Sequence, residues 1–227
     1  MMRQLRALDL FCGAGGATRG LMNAGFSHVT GVDIRPQPRY VGERFVQADA
    51  LDCGLDFSEF DFIWASPICQ HYSLATRCRP GARDKHADLI PPTRTILVAS
   101  GKPFCIENVP LAPLRRDLVL TGDMFGLGTY RKRIFELTWF QLAPRPGAPF
   151  GPESRPGTFT VAGHTGNSSL KTRKAGVNRG TREDWAKAIG IDWMTVHEMA
   201  QSVPPAYSEF IARAWLAQRP ADQAEAA

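Results

Sequence analysis

Over residues 1–140, short apolar segments of strand length alternate with segments of helical character. Strands that alternate with helices at this spacing predict βαβ units, in which successive strands lie parallel. The sequence therefore predicts an α/β fold built on a doubly wound, mostly parallel sheet. The predicted strands are Leu5–Leu10, Val29–Asp33, Arg44–Ala48, Asp61–Ala65, Pro103–Ile106, Leu118–Leu120 and Arg133–Thr138, and the predicted helices of this part are Thr18–Ala24 and Pro92–Ser100.

The composition changes after Phe140. Residues 143–157 hold five prolines and three glycines, which indicates loop or linker, and Gly163–Gly180 is polar and basic without a clear period. We therefore expect a small irregular annex before the last helices. These helices are predicted over Thr181–Ile189 with Thr181 as the N-cap, Thr195–Gln201 and Pro205–Gln218.

Composition excludes several classes of protein. No run approaches the roughly 18 apolar residues of a membrane span, and the residues before Asp9 lack the apolar segment of a secretory signal. The five cysteines include no C-x-x-C pair, which argues for a reducing compartment and against a disulfide scaffold or a structural metal site. We therefore expect a cytoplasmic protein without a metal ion.

The net charge of the chain is +5, and the excess lies almost wholly in residues 121–194, which carry eleven basic and six acidic side chains. Between Arg131 and Arg182 there are ten Lys or Arg residues and two acidic residues, Glu136 and Glu153. Such a segment is typical of a surface that binds a polyanion, nucleic acid first. A solvated loop face is the alternative interpretation of the same charges.

Residues that carry chemistry follow successive predicted strands. In strand order they are the glycine cluster 13–16, Asp33, Asp49, Cys69 and Glu107. The carboxyl ends of parallel strands form the edge of an open sheet at which ligands bind. We therefore expect these residues to share one site.

The glycine loop lets the backbone approach a ligand closely and directs amides at its negative groups. Asp33 lies twenty residues beyond Gly13, where a carboxylate can hold ribose hydroxyls. Thr18 stands where the third glycine of G-x-G-x-x-G would be. By itself this pattern suits NAD, FAD or S-adenosylmethionine, and a tight structural turn is also open.

Cys69 lies on a polar loop, SPICQHYS (66–73), directly after a predicted strand. A thiolate in such a place is a candidate nucleophile, whereas the other cysteines are expected to be buried and inert. His71 is too near in sequence to be a natural base partner. A cysteine protease is therefore not expected.

Together, these residues resemble the cytosine-5 DNA methyltransferase family, whose motifs occur here in order along the chain. The resemblance implies a Rossmann-like, S-adenosylmethionine-dependent methyltransferase, similar in its compactness to members encoded by bacteriophages and prophages. The matching segments are DLFCGAGG (9–16), GVDI (31–34), QADA (47–50), SPICQHYS (66–73), IENV (106–109), YRKR (130–133), TVHEMA (195–200) and SVPPAY (202–207).

The resemblance implies methyl transfer from S-adenosylmethionine to carbon 5 of cytosine through a covalent adduct on Cys69, without a metal. Glu107 is then expected at ring nitrogen 3 and the exocyclic amine, and Pro67 is expected to shape the loop. Arg131 and Arg133 are expected to hold the pyrimidine oxygen and the adduct, or the backbone near it. The residues expected at the donor are Phe11, Cys12, Gly13, Ala14, Gly15, Gly16, Asp33, Ile34, Asp49, Ala50, Pro67, Gln201, Ser202 and Val203.

The resemblance also implies double-stranded DNA as the partner and a target base that is flipped out of the duplex. Residues 1–138 plus 194–218 would form the catalytic domain, residues 139–193 a short target-recognition region and residues 219–227 a disordered tail. A monomer is compatible with this organisation. The residues expected at the nucleic acid are Gln70, Ser73, Arg77, Arg79, Arg83, Lys85, Arg155, Lys171, Arg173, Lys174 and Arg179.

The chain departs from the family pattern at three positions. Ile68 replaces a second proline before Cys69, Thr129 replaces a glutamine, and Gln201 replaces an asparagine expected near the donor carboxylate. None of these changes removes a group that makes or breaks a bond, so activity is expected. Open alternatives are a tRNA-type RNA cytosine-5 methyltransferase, a catalytically weak nucleic-acid-binding protein of this fold and, from the glycine loop alone, a nicotinamide-dependent oxidoreductase. Restriction–modification, orphan regulation and phage self-protection are all open as biological roles.

Overall fold

The computed structural model describes residues 4–73, 85–145, 158–163, 165 and 178–219. In these residues one seven-stranded sheet carries helices on both faces. The strands are β1 (Arg6–Leu10), β2 (His28–Asp33), β3 (Arg44–Gln47), β4 (Phe62–Ala65), β5 (Phe104–Asn108), β6 (Leu118–Leu120) and β7 (Arg133–Leu137). The α-helices are α1 (Gly16–Ala24), α2 (Ile90–Ser100), α3 (Arg182–Ile189), α4 (Val196–Gln201) and α5 (Pro205–Ala217).

The strands lie in the order β3-β2-β1-β4-β5-β7-β6. The strands from β3 to β5 in this order pair in parallel, and β7 runs antiparallel to both of its neighbours. The order of the strands reverses between β1 and β4, so a crevice opens beyond their carboxyl ends. The structure confirms the predicted α/β class and the mostly parallel sheet.

The central strands are buried on both faces because helices cover each side of the sheet. Ala7 and Trp64 face the layer that contains α1 and α5. Leu8, Leu10 and Ile63 face the opposite layer, which contains α2. Burial of alternate residues on both faces explains why these strands are almost continuously apolar in sequence. It also gives the functional residues at the strand ends a rigid base.

The helices begin and end at recognisable capping residues. Thr181 caps α3, since its Oγ1 accepts from the Asp184 N–H at 3.2 Å and the Asp184 carboxylate accepts from the Thr181 N–H at 2.7 Å. Thr195 and Glu198 form the same capping box on α4, and Gly25 closes α1 in the left-handed conformation. Helices α1 and α2 each begin two residues before the predicted start. None of the helices in the described ranges is long and apolar enough to cross a membrane.

Candidate active site

A cavity of about 510 Å³ opens at the carboxyl edge of the sheet. Its walls come from the ends of β1, β2, β4 and β5, from the loop after β2 and from α4. The glycine loop and the four side chains that follow the next strands all line this one cavity; these side chains are Asp33, Asp49, Cys69 and Glu107. The parallel arrangement of these strands therefore brings together groups that are up to about a hundred residues apart in sequence.

The glycine loop makes a sharp turn between β1 and α1. Phe11 and Gly13 have φ angles of 60° and 52°, in the left-handed region that favours glycine. The Gly13 N–H donates to Asp33 Oδ2 at 3.0 Å, which joins the loop to the end of β2. A side chain at Gly16 would collide with the Val203 carbonyl oxygen. Glycine at this position therefore lets the start of α1 approach the segment before α5.

Asp9, near the end of β1, lines the cavity although it is fully buried. Its Oδ2 accepts a 2.6 Å hydrogen bond from Thr18 Oγ1, while its Oδ1 has no partner among the described residues. Burial raises the pKa of Asp9 to about 7, and the carboxylates of Asp33 and Glu107 act in the same direction. An unpaired oxygen on a buried carboxylate costs free energy, and the raised pKa reduces this cost because the carboxyl is partly protonated near neutral pH. Asp9 is not among the residues predicted at the donor, although it opens the segment DLFCGAGG.

Cys69 lies on the loop after β4, where it begins the 3₁₀ turn Cys69–His71. Asn108, at the end of β5, holds this loop because its Nδ2 donates to the Pro67 carbonyl oxygen at 2.8 Å. Burial raises the pKa of the Cys69 thiol, and the positive charge of Arg133 opposes this shift. The resting protein therefore holds a thiol beside a cation that favours its ionised form.

Glu107 on β5 and Arg133 at the start of β7 form an ion pair, with Arg133 Nε 2.8 Å from Glu107 Oε1. The two side chains are 7% and 15% exposed. Burial raises the pKa of Glu107, while Arg133 and the Ser66 hydroxyl lower it. Such opposing influences suit a carboxyl that has to hold and release a proton.

Arg131 lies outside the cavity lining, and the structure does not bring it to the position expected for a contact with the base. Its guanidinium donates to the carbonyl oxygens of Ser202 (2.5 and 3.1 Å), Ala200 (2.9 Å) and Val161 (2.5 Å). Burial lowers the pKa of Arg131 to about 9. The donors of this side chain are therefore engaged with backbone carbonyls, which is the second of the two roles expected for Arg131.

The residues predicted to hold the donor meet at the cavity, with one exception. Gly15 is not part of the lining and lies instead against Tyr40 and Val41 of the loop after β2. The others line the cavity: Phe11, Cys12, Gly13, Ala14, Gly16, Asp33, Ile34, Asp49, Ala50, Pro67, Gln201, Ser202 and Val203. No group of His, Cys, Asp or Glu side chains in the described part of the chain could hold a metal ion.

Few of the residues predicted to contact nucleic acid can be placed. Gln70 lines the cavity, whereas Ser73, Lys85 and Arg179 lie outside its lining. Arg179 donates to the Ala162 carbonyl oxygen. The remaining predicted positions lie outside the described residues: Arg77, Arg79, Arg83, Arg155, Lys171, Arg173 and Lys174.

Several residues of the cavity were missed in the sequence analysis. Ser66 lines it beside Cys69, the loop 35–37 lines it after β2, and His197 and Glu198 line it from α4. Arg39 connects the loop after β2 to α4, since its Nε and Nη2 donate to the Glu198 carboxylate at 2.9 and 3.0 Å. The Thr-x-x-Glu pattern at α4 indicates a helix cap but carries no information about this partner.

The chain is similar to known proteins in sequence and in fold. Residues 5–115 match the model of the C-5 cytosine-specific DNA methylase family, whereas no curated protein matches the chain. One similar solved structure is described as a DNA modification methyltransferase encoded within a prophage of E. coli, with a TM-score of 0.61 and 14% identity over 94% of this chain and 99% of that one.

Two eukaryotic structures are similar to the same extent. The Dnmt2 methyltransferase of S. pombe has a TM-score of 0.60 and 15% identity, over 96% of this chain and 100% of its own. The methyltransferase EhMeth of Entamoeba histolytica has a TM-score of 0.57 and 13% identity, over the same shares. These likenesses show a common fold. The segment matched by the C-5 cytosine-specific DNA methylase model holds the glycine loop, Asp33, Cys69 and Glu107.

Proposed function

We propose that this protein transfers a methyl group from S-adenosylmethionine to carbon 5 of a cytosine in DNA, through a covalent adduct on Cys69. One observation carries the proposal: a single cavity holds the glycine loop with Asp33 and, beside them, the Cys69 thiol and the Glu107 carboxyl. A methyl donor and a nucleophile that acts on the acceptor must share a cavity, because the methyl group passes directly between the two molecules. The match of residues 5–115 to a DNA methylase family supports S-adenosylmethionine as the donor.

The donor side of the cavity fits S-adenosylmethionine in hydrogen bonding and in space. A side chain at Gly13 would meet no protein atom within 4 Å, so the glycine leaves open space in this wall. Asp33 can accept hydrogen bonds from ribose hydroxyls, and Asp49 from an adenine amine. Bound here, S-adenosylmethionine supplies the methyl group.

Cys69 is the nucleophile of the proposed reaction. Its Sγ forms a bond to carbon 6 of the ring, and the electron pair of the double bond becomes available at carbon 5, where the methyl group is gained. A base then removes the proton from carbon 5, the double bond forms again and the Cys69 thiolate leaves. No net oxidation occurs, and the methyl group replaces one proton.

Glu107 and Arg133 support this addition. Protonated Glu107 donates to ring nitrogen 3 and accepts from the exocyclic amine, which stabilises the charge that develops as Cys69 adds. Arg133 holds the carboxyl through the 2.8 Å ion pair, and its charge favours the Cys69 thiolate. Proton donor and nucleophile are therefore controlled by the same guanidinium.

The target base has to leave its duplex to reach Cys69. Glu107 is 5% exposed and acts from within the cavity, which a stacked base cannot enter. Enzymes that act on ring atoms of a base extrude it into such a pocket. We therefore propose base flipping from double-stranded DNA by a monomer in the cytoplasm of a bacterial or phage-infected cell, with residues 139–193 as the target-recognition region.

A transfer assay with tritiated S-adenosylmethionine tests the proposal. Unmethylated duplex DNA and tRNA are offered separately to the wild type, to Cys69→Ser and to Cys53→Ser, a matched control outside the cavity lining. We expect transfer to DNA by the wild type and the control, and none by Cys69→Ser. Duplex DNA that contains 5-fluorocytosine should form a complex with the wild type that survives denaturing electrophoresis.

Each other outcome has a defined meaning. Transfer to tRNA alone would replace DNA by RNA as the substrate. DNA binding without transfer by the wild type would identify a catalytically weak binding protein. Undiminished transfer by Cys69→Ser would exclude the covalent mechanism. Sequencing 5-methylcytosine in DNA from a methylation-free expression host would then give the recognised bases.

A further inference from the structure

Trp64, on the buried strand β4, is connected to the site through Ser66. Its indole Nε1 donates to Ser66 Oγ at 2.8 Å, and the Trp64 side chain is fully buried. Ser66 lines the cavity, and its side chain is hydrogen-bonded to the Glu107 carboxyl. The three side chains therefore form a hydrogen-bonded row from the core to the cavity, which we call the Trp64–Ser66–Glu107 row.

The direction of this row is fixed by its first member. An indole N–H can only donate, and a serine hydroxyl has a single proton to donate. Because Ser66 Oγ accepts from Trp64, its own proton is directed to Glu107. The carboxyl oxygen that accepts from Ser66 is then a poor place for the acid proton, which is left to the part of the carboxyl that Ser66 does not occupy.

We propose that Ser66 is a positioning residue for the methyl transfer, which Trp64 holds in place and which fixes the Glu107 carboxyl so that its proton faces the base. This inference rests on the proposed function, because Glu107 needs a defined orientation only if a base enters the cavity. Ser66 acts through Glu107. The row is the counterpart of the Glu107–Arg133 ion pair, which holds the same carboxyl from β7.

The row also contributes to the ionisation of Glu107. Burial raises the pKa of Glu107, and Arg133, the Ser66 hydroxyl and Arg131 lower it, in that order. Loss of the Ser66 hydroxyl is therefore expected to raise this pKa. The other titratable groups around Glu107 are Asp9 on β1, Cys69 after β4, Cys105 on β5 and Tyr207 on α5.

Carbon-13 NMR of the glutamate side-chain carboxyls measures this ionisation directly, with Glu107→Gln to assign the signal. We expect the pKa of Glu107 to rise in Ser66→Ala and to rise by less in Trp64→Phe. Ser66→Thr keeps the hydroxyl and should restore the value of the wild type. Trp139→Phe is the matched control, because the Trp139 indole donates to Gln141 Oε1 at 3.2 Å outside the cavity lining.

Single-turnover kinetics supply the second readout. Ser66→Ala is expected to lower the maximal rate of methyl transfer about tenfold, since the carboxyl is less well oriented. The KM for S-adenosylmethionine should not change. The alkaline limb of the pH profile of this rate should move to higher pH, because Glu107 stays protonated up to a higher pH in this variant. Trp139→Phe should leave both the rate and the profile unchanged.

Two results separate this inference from the proposed function. An unchanged pKa of Glu107 in Ser66→Ala, with only a lower melting temperature, would make Ser66 a structural residue and overturn the inference. A raised pKa in a protein whose wild type methylates no nucleic acid would instead overturn the proposed function. If Trp64→Phe does not fold, the comparison of Ser66→Ala with Ser66→Thr decides.

Discussion

The side-chain amide of Asn108 donates a 2.8 Å hydrogen bond to the Pro67 carbonyl oxygen and thereby joins the end of β5 to the loop that carries Cys69. Asn108 is 1% exposed, so water does not compete for this bond. Glu107 is the preceding residue on the same strand. One strand end therefore sets the position of both the proposed nucleophile and the proposed proton donor.

Asn108→Ala is expected to slow methyl transfer more than it weakens donor binding. The variant leaves a buried carbonyl unpaired, which costs about 1–3 kcal/mol in the free energy of unfolding, and it releases the Cys69 loop. A displacement of about 1 Å at a reacting group can cost roughly a hundredfold in rate. Single-turnover rates and trapping on 5-fluorocytosine DNA measure the effect. Asn23→Ala, which removes an exposed amide–carboxylate bond to Glu209, is the control, and equal rates in both variants would contradict the prediction.

Arg39→Gln is expected to speed the release of S-adenosylhomocysteine roughly two- to fivefold. Arg39 and Glu198 connect the loop after β2 to α4, and these are two walls of the donor cavity. Stopped-flow displacement measures the release rate, which should also rise with salt in the wild type. Arg213→Gln breaks the exposed pair with Glu209 on α5 and should have no effect. If Arg39→Gln and Arg213→Gln changed the release rate equally, the ion pair between Arg39 and Glu198 would not be what retains S-adenosylhomocysteine.

Arg131→Met is expected to destabilise the whole protein by about 3 kcal/mol or more, because several backbone carbonyls lose their donor at once. Urea unfolding measures this loss. Lys132→Met changes the exposed neighbour and is expected to have little effect. A folded, equally stable Arg131→Met protein with lowered activity would instead favour the role at the base that the sequence analysis expected.

The pH dependence of stability is expected to contain a contribution from Asp9. Its pKa is raised from 3.8 to about 7 in the folded protein. Between these values the unfolded chain loses its proton first, so the free energy of unfolding falls as pH rises, by up to roughly 4 kcal/mol once the pH exceeds the folded pKa. In Asp9→Asn the free energy of unfolding should therefore fall less between pH 5 and pH 8 than it does in the wild type. Exposed Asp192→Asn should retain it, and an unchanged slope in Asp9→Asn would refute the assignment.

Much of the fold could be predicted from the sequence because its signals are local. Thr181 and Gly25 mark helix ends through their own hydrogen bonds or backbone conformation. The apolar segments around Leu8 and Ile63 are strands because both faces are buried. The antiparallel direction of β7 has no such local signal. It depends on the strands beside which this segment packs, and these are β5 and β6.

By itself, the amino-acid sequence determined the order of the chemical groups, the elements they follow and the edge of the sheet at which Asp33, Cys69 and Glu107 meet. Only the tertiary structure decided that Arg131 binds the carbonyls of Ala200 and Val161, that a buried oxygen of Asp9 has no partner among the described residues, and that Arg39 meets a carboxylate 159 residues later. The physical reason is that periodicity and spacing act along the chain. The direction of a side chain and the identity of its partner depend on elements that become neighbours only when the core is packed.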